Sequence, residues 1–209
     1  MIKQYLKLLN LSTASLPNYL TYSRIALIPI YVMLAPWDLV FLNYLAAFIL
    51  TVACVTDFLD GFLARYWRVT SKFGALIDPL SDKALFAAVV IVLATRYPLY
   101  IPVFCLLLVR ELVIMGLRVH SAENNHRIQV SSFGKIKTIF LDVACIFLTI
   151  GSASQAFPWV GTGFLLLLIA TVFSLYSGWL YFREVIDLEA AENWTQNHDE
   201  EPSSSAAIS

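Results

Sequence analysis

The chain has 209 residues, of which 59% are apolar and 14% charged, and its mean hydropathy is +0.72. Soluble domains run to about 45–50% apolar and about 25% charged, so this composition excludes an ordinary soluble fold and indicates a polytopic membrane protein. Lys and Arg number 14 against 15 Asp and Glu, a net charge of −1 that leaves no basic excess for holding nucleic acid.

Residues 1–16 set Ile2, Tyr5, Leu6, Leu8 and Leu9 against Lys3, Gln4 and Lys7, the spacing of a short amphipathic helix on the membrane surface. No apolar segment leads to a small-residue cleavage site, so this arm is expected to stay in the mature chain. Crossing a bilayer takes about 20 mostly apolar residues as helix. Six stretches qualify, 18–37, 39–65, 75–96, 98–119, 133–152 and 157–183, and Pro17 suits the start of the first. The expected fold is an all-α integral membrane protein: an interfacial helix over 1–16, six transmembrane helices over 17–186 and a tail over 187–209. That tail, acidic and Ser-rich at its end, is too polar to pack a core, and disorder is expected there. Its Asn193-Trp194-Thr195 sequon, on a cytoplasmic tail, would never meet the glycosylation machinery.

Orientation follows from the basic residues. Lys3 and Lys7, then Arg65, Arg68 and Lys72, then Arg118, Arg127, Lys135 and Lys137 fall on alternate connections, whereas the intervening ones contain only Arg96. By the positive-inside rule the first group faces the cytoplasm, and both termini with it. Cys54, Cys105 and Cys145 stand singly in apolar runs and read as small core residues, while His120, His126 and His198 lie in polar stretches without paired metal-ligand spacing.

One segment breaks the apolar pattern. Asp57 and Asp60 close the second span, and Asp78, Asp82 and Lys83 open the third, so four carboxylates converge at one depth near the cytoplasmic face. Spacings of i,i+3 and i,i+4 put each pair on one helix side, with Cβ atoms about 5–6 Å apart. Facing lipid, four acids would cost on the order of 10 kcal/mol even on the translocon scale. They must line a polar cavity, and their mutual repulsion calls for protons or a divalent cation. Oxygen ligands in that number suit Mg²⁺, Mn²⁺ or Ca²⁺ over zinc. Pairing of these acids with Arg65, Arg68 and Lys72 at a helix end is the plainer reading, but surface pairing needs no fixed spacing. The spacing here is long and ordered: D57-x-x-D60-G61-x-x-A64-R65, eight residues, then G74-x-x-x-D78-x-x-x-D82.

That string closely resembles the signature of the CDP-alcohol phosphatidyltransferases, membrane enzymes that move a phosphatidyl group from CDP-diacylglycerol to an alcohol. The resemblance implies a two-metal site of Mg²⁺ or Mn²⁺ held by Asp57, Asp60 and Asp78, with Asp82 adding to the site and serving as general base. It also implies that Gly61, Ala64, Arg65 and Gly74 frame the cytidine diphosphate, and that the enzyme is a homodimer. The setting implied is a bacterial inner (cell) membrane, with the active site facing the cytoplasm.

The acceptor is read from three further clusters. Asn18, Thr21 and Arg24 share roughly one side of the first span, Arg110 and Arg118 lie on the fourth, and Lys135 and Lys137 stand at the mouth of the fifth. Five cations around one cavity would suit an acceptor that carries its own phosphate. Membrane orientation alone could account for Arg118, Lys135 and Lys137, but Arg110 lies inside an apolar run, where a buried partner or ligand is expected. The stretches "PNYLTYSRI", "RELVIMGLR" and "FGKIKT" resemble the branch of the family that uses sn-glycerol 3-phosphate; inositol phosphate or another alcohol is the alternative. An ion or proton transporter would need polar groups at successive depths, and Asp142 is the only ionisable residue near mid-span, where pairing within the bundle accounts for it.

Overall fold

The computed structural model describes residues 15–37, 39–67, 72–123, 132–151 and 157–199, with helical backbone alone over 15–21, 60–67, 72–79, 122–123, 132–133, 135, 189 and 191–199. The expected interfacial helix over 1–16 falls almost wholly outside these residues. Within them every regular element is helical: α1 (Ser15–Leu34), α2 (Val40–Trp67), α3 (Lys72–Arg96), a single 3₁₀ turn (Pro98–Tyr100), α4 (Ile101–Glu123), α5 (Ser132–Ile150) and α6 (Trp159–Asp199). The helices follow the apolar runs and break at turn formers. Pro98 starts the 3₁₀ turn, Pro102 occupies the first turn of α4 where its missing N–H costs nothing, and Gly151 adopts φ +59° just past α5.

Among the described residues, three helical segments are long and apolar enough to cross a membrane, Val40–Leu59, Pro98–Ser121 and Trp159–Leu188. This is a membrane protein by the physics of its surface as well. Phe41, Phe48, Phe58, Ile139, Val172 and Trp179 all point outward from the bundle, an apolar coat that water would not tolerate and lipid requires. The interior is equally apolar: Leu50, Val89, Leu93, Phe104, Leu107, Leu148 and Leu167 are buried in one cluster.

Close packing sets the order of the bundle. α5 and α6 share the largest contact, α1 lies against α2 and α3, α2 against α5, and α4 against α6. The α5–α6 approach depends on Gly163, where a Cβ would sit 2.9 Å from Leu148 Cγ and 3.2 Å from the Leu148 backbone nitrogen. At the end of the bundle away from the acids, Arg96 donates from Nη1 to the Thr149 carbonyl at 2.9 Å, and the Tyr97 hydroxyl donates to the Leu148 carbonyl at 3.1 Å. These are carbonyls that the end of α5 leaves without helical partners, and a cation there also complements the helix dipole. The lone cation of the far-side connections is thus a helix cap.

α6 departs from expectation. It continues beyond Asp187 to Asp199, so disorder gives way to helix over 187–199. The reason lies in local propensity: Leu188, Glu189, Ala190, Ala191 and Glu192 are strong helix formers, no Gly or Pro intervenes before Pro202, and Arg183 approaches Asp187 at i,i+4.

Candidate active site

The acids meet where helices α2, α3 and α5 converge. Asp57 from α2, Asp82 from α3 and Asp142 from α5 line one cavity of about 390 Å³, counting the open space at its mouth. Leu50, Leu85, Phe86 and Val89 form its apolar wall, with Cys54 and Cys145 beside Asp142. The end of α2 and the start of α3, consecutive in the chain, lie at the same end of the bundle, and α5 packs against both. Asp60 follows Asp57 by one helical turn and Asp78 precedes Asp82 by one turn; both lie on the described helices, but their side chains are outside the described residues. The same holds for Gly61, Ala64, Arg65, Gly74, Asn18, Thr21 and Lys135.

Oxygen donors dominate the cavity's polar side, which fits a hard divalent cation. Among the described residues, no three His, Cys, Asp or Glu side chains stand close enough to hold one. Asp57 and Asp82 are two of the four expected ligands and share the cavity; the other two lie outside that description. The carboxylates at the cavity are partly open, with 43% of the Asp57 side chain and 42% of Asp82 exposed.

A second cluster adjoins the first. Glu111, buried on α4, accepts from Arg110 Nη1 at 2.8 Å, from Lys83 Nζ at 2.5 Å and from the buried Lys137 Nζ. Three cations from α3, α4 and α5 thus share one carboxylate. Arg110 also donates from Nη2 to Ser177 Oγ at 2.7 Å on α6, and a Cβ on the next residue, Gly178, would stand only 3.0 Å from Arg110 Nε. Lys83 connects the two clusters, its Nζ lying 3.7 Å from Asp82 Oδ2.

Of the five cations expected around the acceptor, Arg110 and Lys137 come together on Glu111. Arg24 does not join them: fully buried, it brings Nη1 to 2.6 Å from Asp57 Oδ1 and belongs to the acid cavity. Arg118 points outward, its guanidinium 5.8 Å from the ring centre of Tyr181. The reason is distance along the helix: eight residues carry Arg118 about 12 Å past Arg110, so that it meets α6 at Tyr181 and not at Ser177. Asp142, expected only to pair within the bundle, stands at the acid cavity. Glu111, Lys83, Ser177 and Gly178 were not marked by sequence reasoning as part of this site. A glutamate beside an arginine in an apolar run and a glycine inside a long helix were the signals available.

The sequence profile of the CDP-alcohol phosphatidyltransferases matches residues 14–176, most of the chain. The chain belongs to the CDP-alcohol phosphatidyltransferase family. It is 32% identical over 170 residues to a protein of Rickettsia bellii named CDP-diacylglycerol–glycerol-3-phosphate 3-phosphatidyltransferase, covering 81% of this chain and 94% of that one. Proteins of the same name from Escherichia coli K12 and Pectobacterium atrosepticum are 35% and 39% identical, over 78% and 59% of this chain and 90% and 70% of theirs.

Proposed function

We propose that this enzyme transfers the phosphatidyl group of CDP-diacylglycerol to sn-glycerol 3-phosphate, forming phosphatidylglycerophosphate and releasing CMP. The observation that carries the reading is the adjacency of two unlike clusters: carboxylates on a cavity and, linked through Lys83, three cations gathered on Glu111. A phosphate-bearing acceptor fits the second while its hydroxyl reaches toward the first. The names of the relatives support the same acceptor.

Arg110 and Lys137 hold the acceptor's phosphate, and Asn18 and Thr21 of α1 and Lys135 of α5 are assigned to the same substrate from the sequence pattern alone. Asp82 takes the proton from the 1-hydroxyl, whose oxygen forms a bond to the β-phosphorus as the bond from that phosphorus to the CMP oxygen breaks. Gly61, Ala64, Arg65 and Gly74 frame the nucleotide, small residues leaving room for it. Asp57, Asp60, Asp78 and Asp82 would hold Mg²⁺ or Mn²⁺, which supplies charge neutralisation and polarisation of the phosphoryl oxygens. Arg24 keeps the Asp57 carboxylate in place from below.

All six helices cross the membrane in this reading, including α1, α3 and α5, with both termini and the acid cavity on the cytoplasmic side of a bacterial inner membrane; the basic residues of the alternate connections support it. The family resemblance supports a homodimer.

Purified protein supplied with CDP-diacylglycerol and labelled acceptors tests the assignment. CMP release is expected with glycerol 3-phosphate; release with inositol phosphate alone overturns it.

A further inference from the structure

Among the described residues the charges around Glu111 do not balance. Lys83, Arg110 and Lys137 contact one carboxylate, and Arg110 and Lys137 are largely buried, with 10% and 9% of their side chains exposed. A cation surplus within a helical bundle is costly unless another anion completes it. Among the described residues Asp82 is the next acid to Lys83, whose Nζ stands at 2.5 Å from Glu111 and 3.7 Å from Asp82. Lys83 hydrogen-bonds Glu111 and keeps only the longer ion pair to Asp82, the residue one position before it in the chain. Arg110 is fixed from the other side by Ser177 and by the absence of a side chain at Gly178.

We propose that Glu111 is a positioning residue with two tasks: it gathers Lys83, Arg110 and Lys137 from three helices into one anion-receiving face, and it keeps Lys83 from tightening its 3.7 Å ion pair with Asp82 into a direct hydrogen bond. The first task presents the cations to the acceptor's phosphate with their geometry already set, so that the ordering cost falls on folding and not on binding. The second leaves the Asp82 carboxylate available to the reacting hydroxyl. A lysine is suited to this place because its flexible stem can turn between two carboxylates, whereas an arginine in the same place would bind either one in a fixed bidentate fork. The inference rests on the proposed transfer to a phosphate-bearing acceptor.

The test is steady-state kinetics of the full chain in mixed micelles, with each substrate varied in turn. Glu111→Gln keeps the shape and loses the charge. It is expected to raise the KM for glycerol 3-phosphate about tenfold or more, to leave that for CDP-diacylglycerol within about twofold, and to lower kcat. Adding Lys83→Met to Glu111→Gln removes the cation that would swing onto Asp82; kcat is then expected to recover while the KM for glycerol 3-phosphate stays high. The double variant also relieves surplus buried charge, so it keeps the test open if the single variant does not fold. A purely structural role for Glu111 would reduce the yield of active enzyme and leave both KM values alone. An unchanged KM for glycerol 3-phosphate in Glu111→Gln overturns the gathering role, and a kcat that Lys83→Met fails to restore overturns the second. Wild-type enzyme that turns over inositol phosphate but not glycerol 3-phosphate refutes the acceptor assignment alone, and the same KM and kcat pattern is then read with that acceptor. Wild-type enzyme active only with an acceptor lacking phosphate overturns the gathering role.

Discussion

Replacing Arg24 with Met isolates what its pairing with Asp57 does. The guanidinium is fully buried and 2.6 Å from Asp57 Oδ1, while 43% of the Asp57 side chain remains exposed. Breaking a wholly buried ion pair costs about 3–5 kcal/mol, mostly because a desolvated charge is stranded. Here the stranded carboxylate keeps part of its hydration, and Met fills much of the volume, so a loss of roughly 2 kcal/mol is expected. Unfolding in mixed detergent micelles, followed by circular dichroism, measures it. The cycle is completed by Asp57→Asn and the double variant; a coupling of about 2 kcal/mol is expected, and additivity within about 0.5 kcal/mol would refute the pairing. Kinetics give an independent reading. Because Arg24 supports the acid cavity, its loss should lower kcat and leave the KM for glycerol 3-phosphate within about twofold. A tenfold rise in that KM at constant kcat would place Arg24 on the acceptor, as its spacing with Asn18 and Thr21 suggested.

Asp82→Asn should reduce kcat by about 10²–10⁴ with the protein still folded, since it removes the base, and near-normal turnover would end that assignment. Removal of divalent cations with a chelator should abolish CMP release and their return should restore it; activity persisting in chelator would remove the metal from the reaction. Gly178→Ala places a Cβ 3.0 Å from Arg110 Nε, so the guanidinium must shift from its hydrogen bond to Ser177, and should raise the KM for glycerol 3-phosphate while leaving that for CDP-diacylglycerol unaltered; a change in the latter alone would sink the argument. Arg96→Gln removes a charged cap from the end of α5 and should cost about 1.5–3 kcal/mol of stability with kcat retained in the folded fraction, a prediction that fails if stability is unmoved.

The acids, the helices that bear them and the family were legible in the chain because each is written in local spacing. A carboxylate three or four residues from another in a helix shares its side whatever the rest of the molecule does. Apolar runs of bilayer length declare themselves in the same way, as Val40–Leu59 and Pro98–Ser121 do. The extension of α6 past Asp187 follows its helix formers, whose propensity outweighs the acidic composition of that stretch.

Partner choice among the buried charges belongs to the tertiary structure. Lys83 and Lys137 reach Glu111 across 28 and 26 residues of chain, and Arg110 reaches Ser177 across 67. No periodicity within one helix determines which of several nearby acids a cation will meet; that depends on the rotation and depth of each helix against its neighbours. The same packing turned Arg24 to Asp57, sent Arg118 out to Tyr181 and carried Asp142 to the acid cavity. It also made Arg96 a cap for α5, joining it to Thr149 over 53 residues. In an apolar bundle, each buried charge must find a partner among the few its helix contacts offer, and only the assembled helices decide which those are.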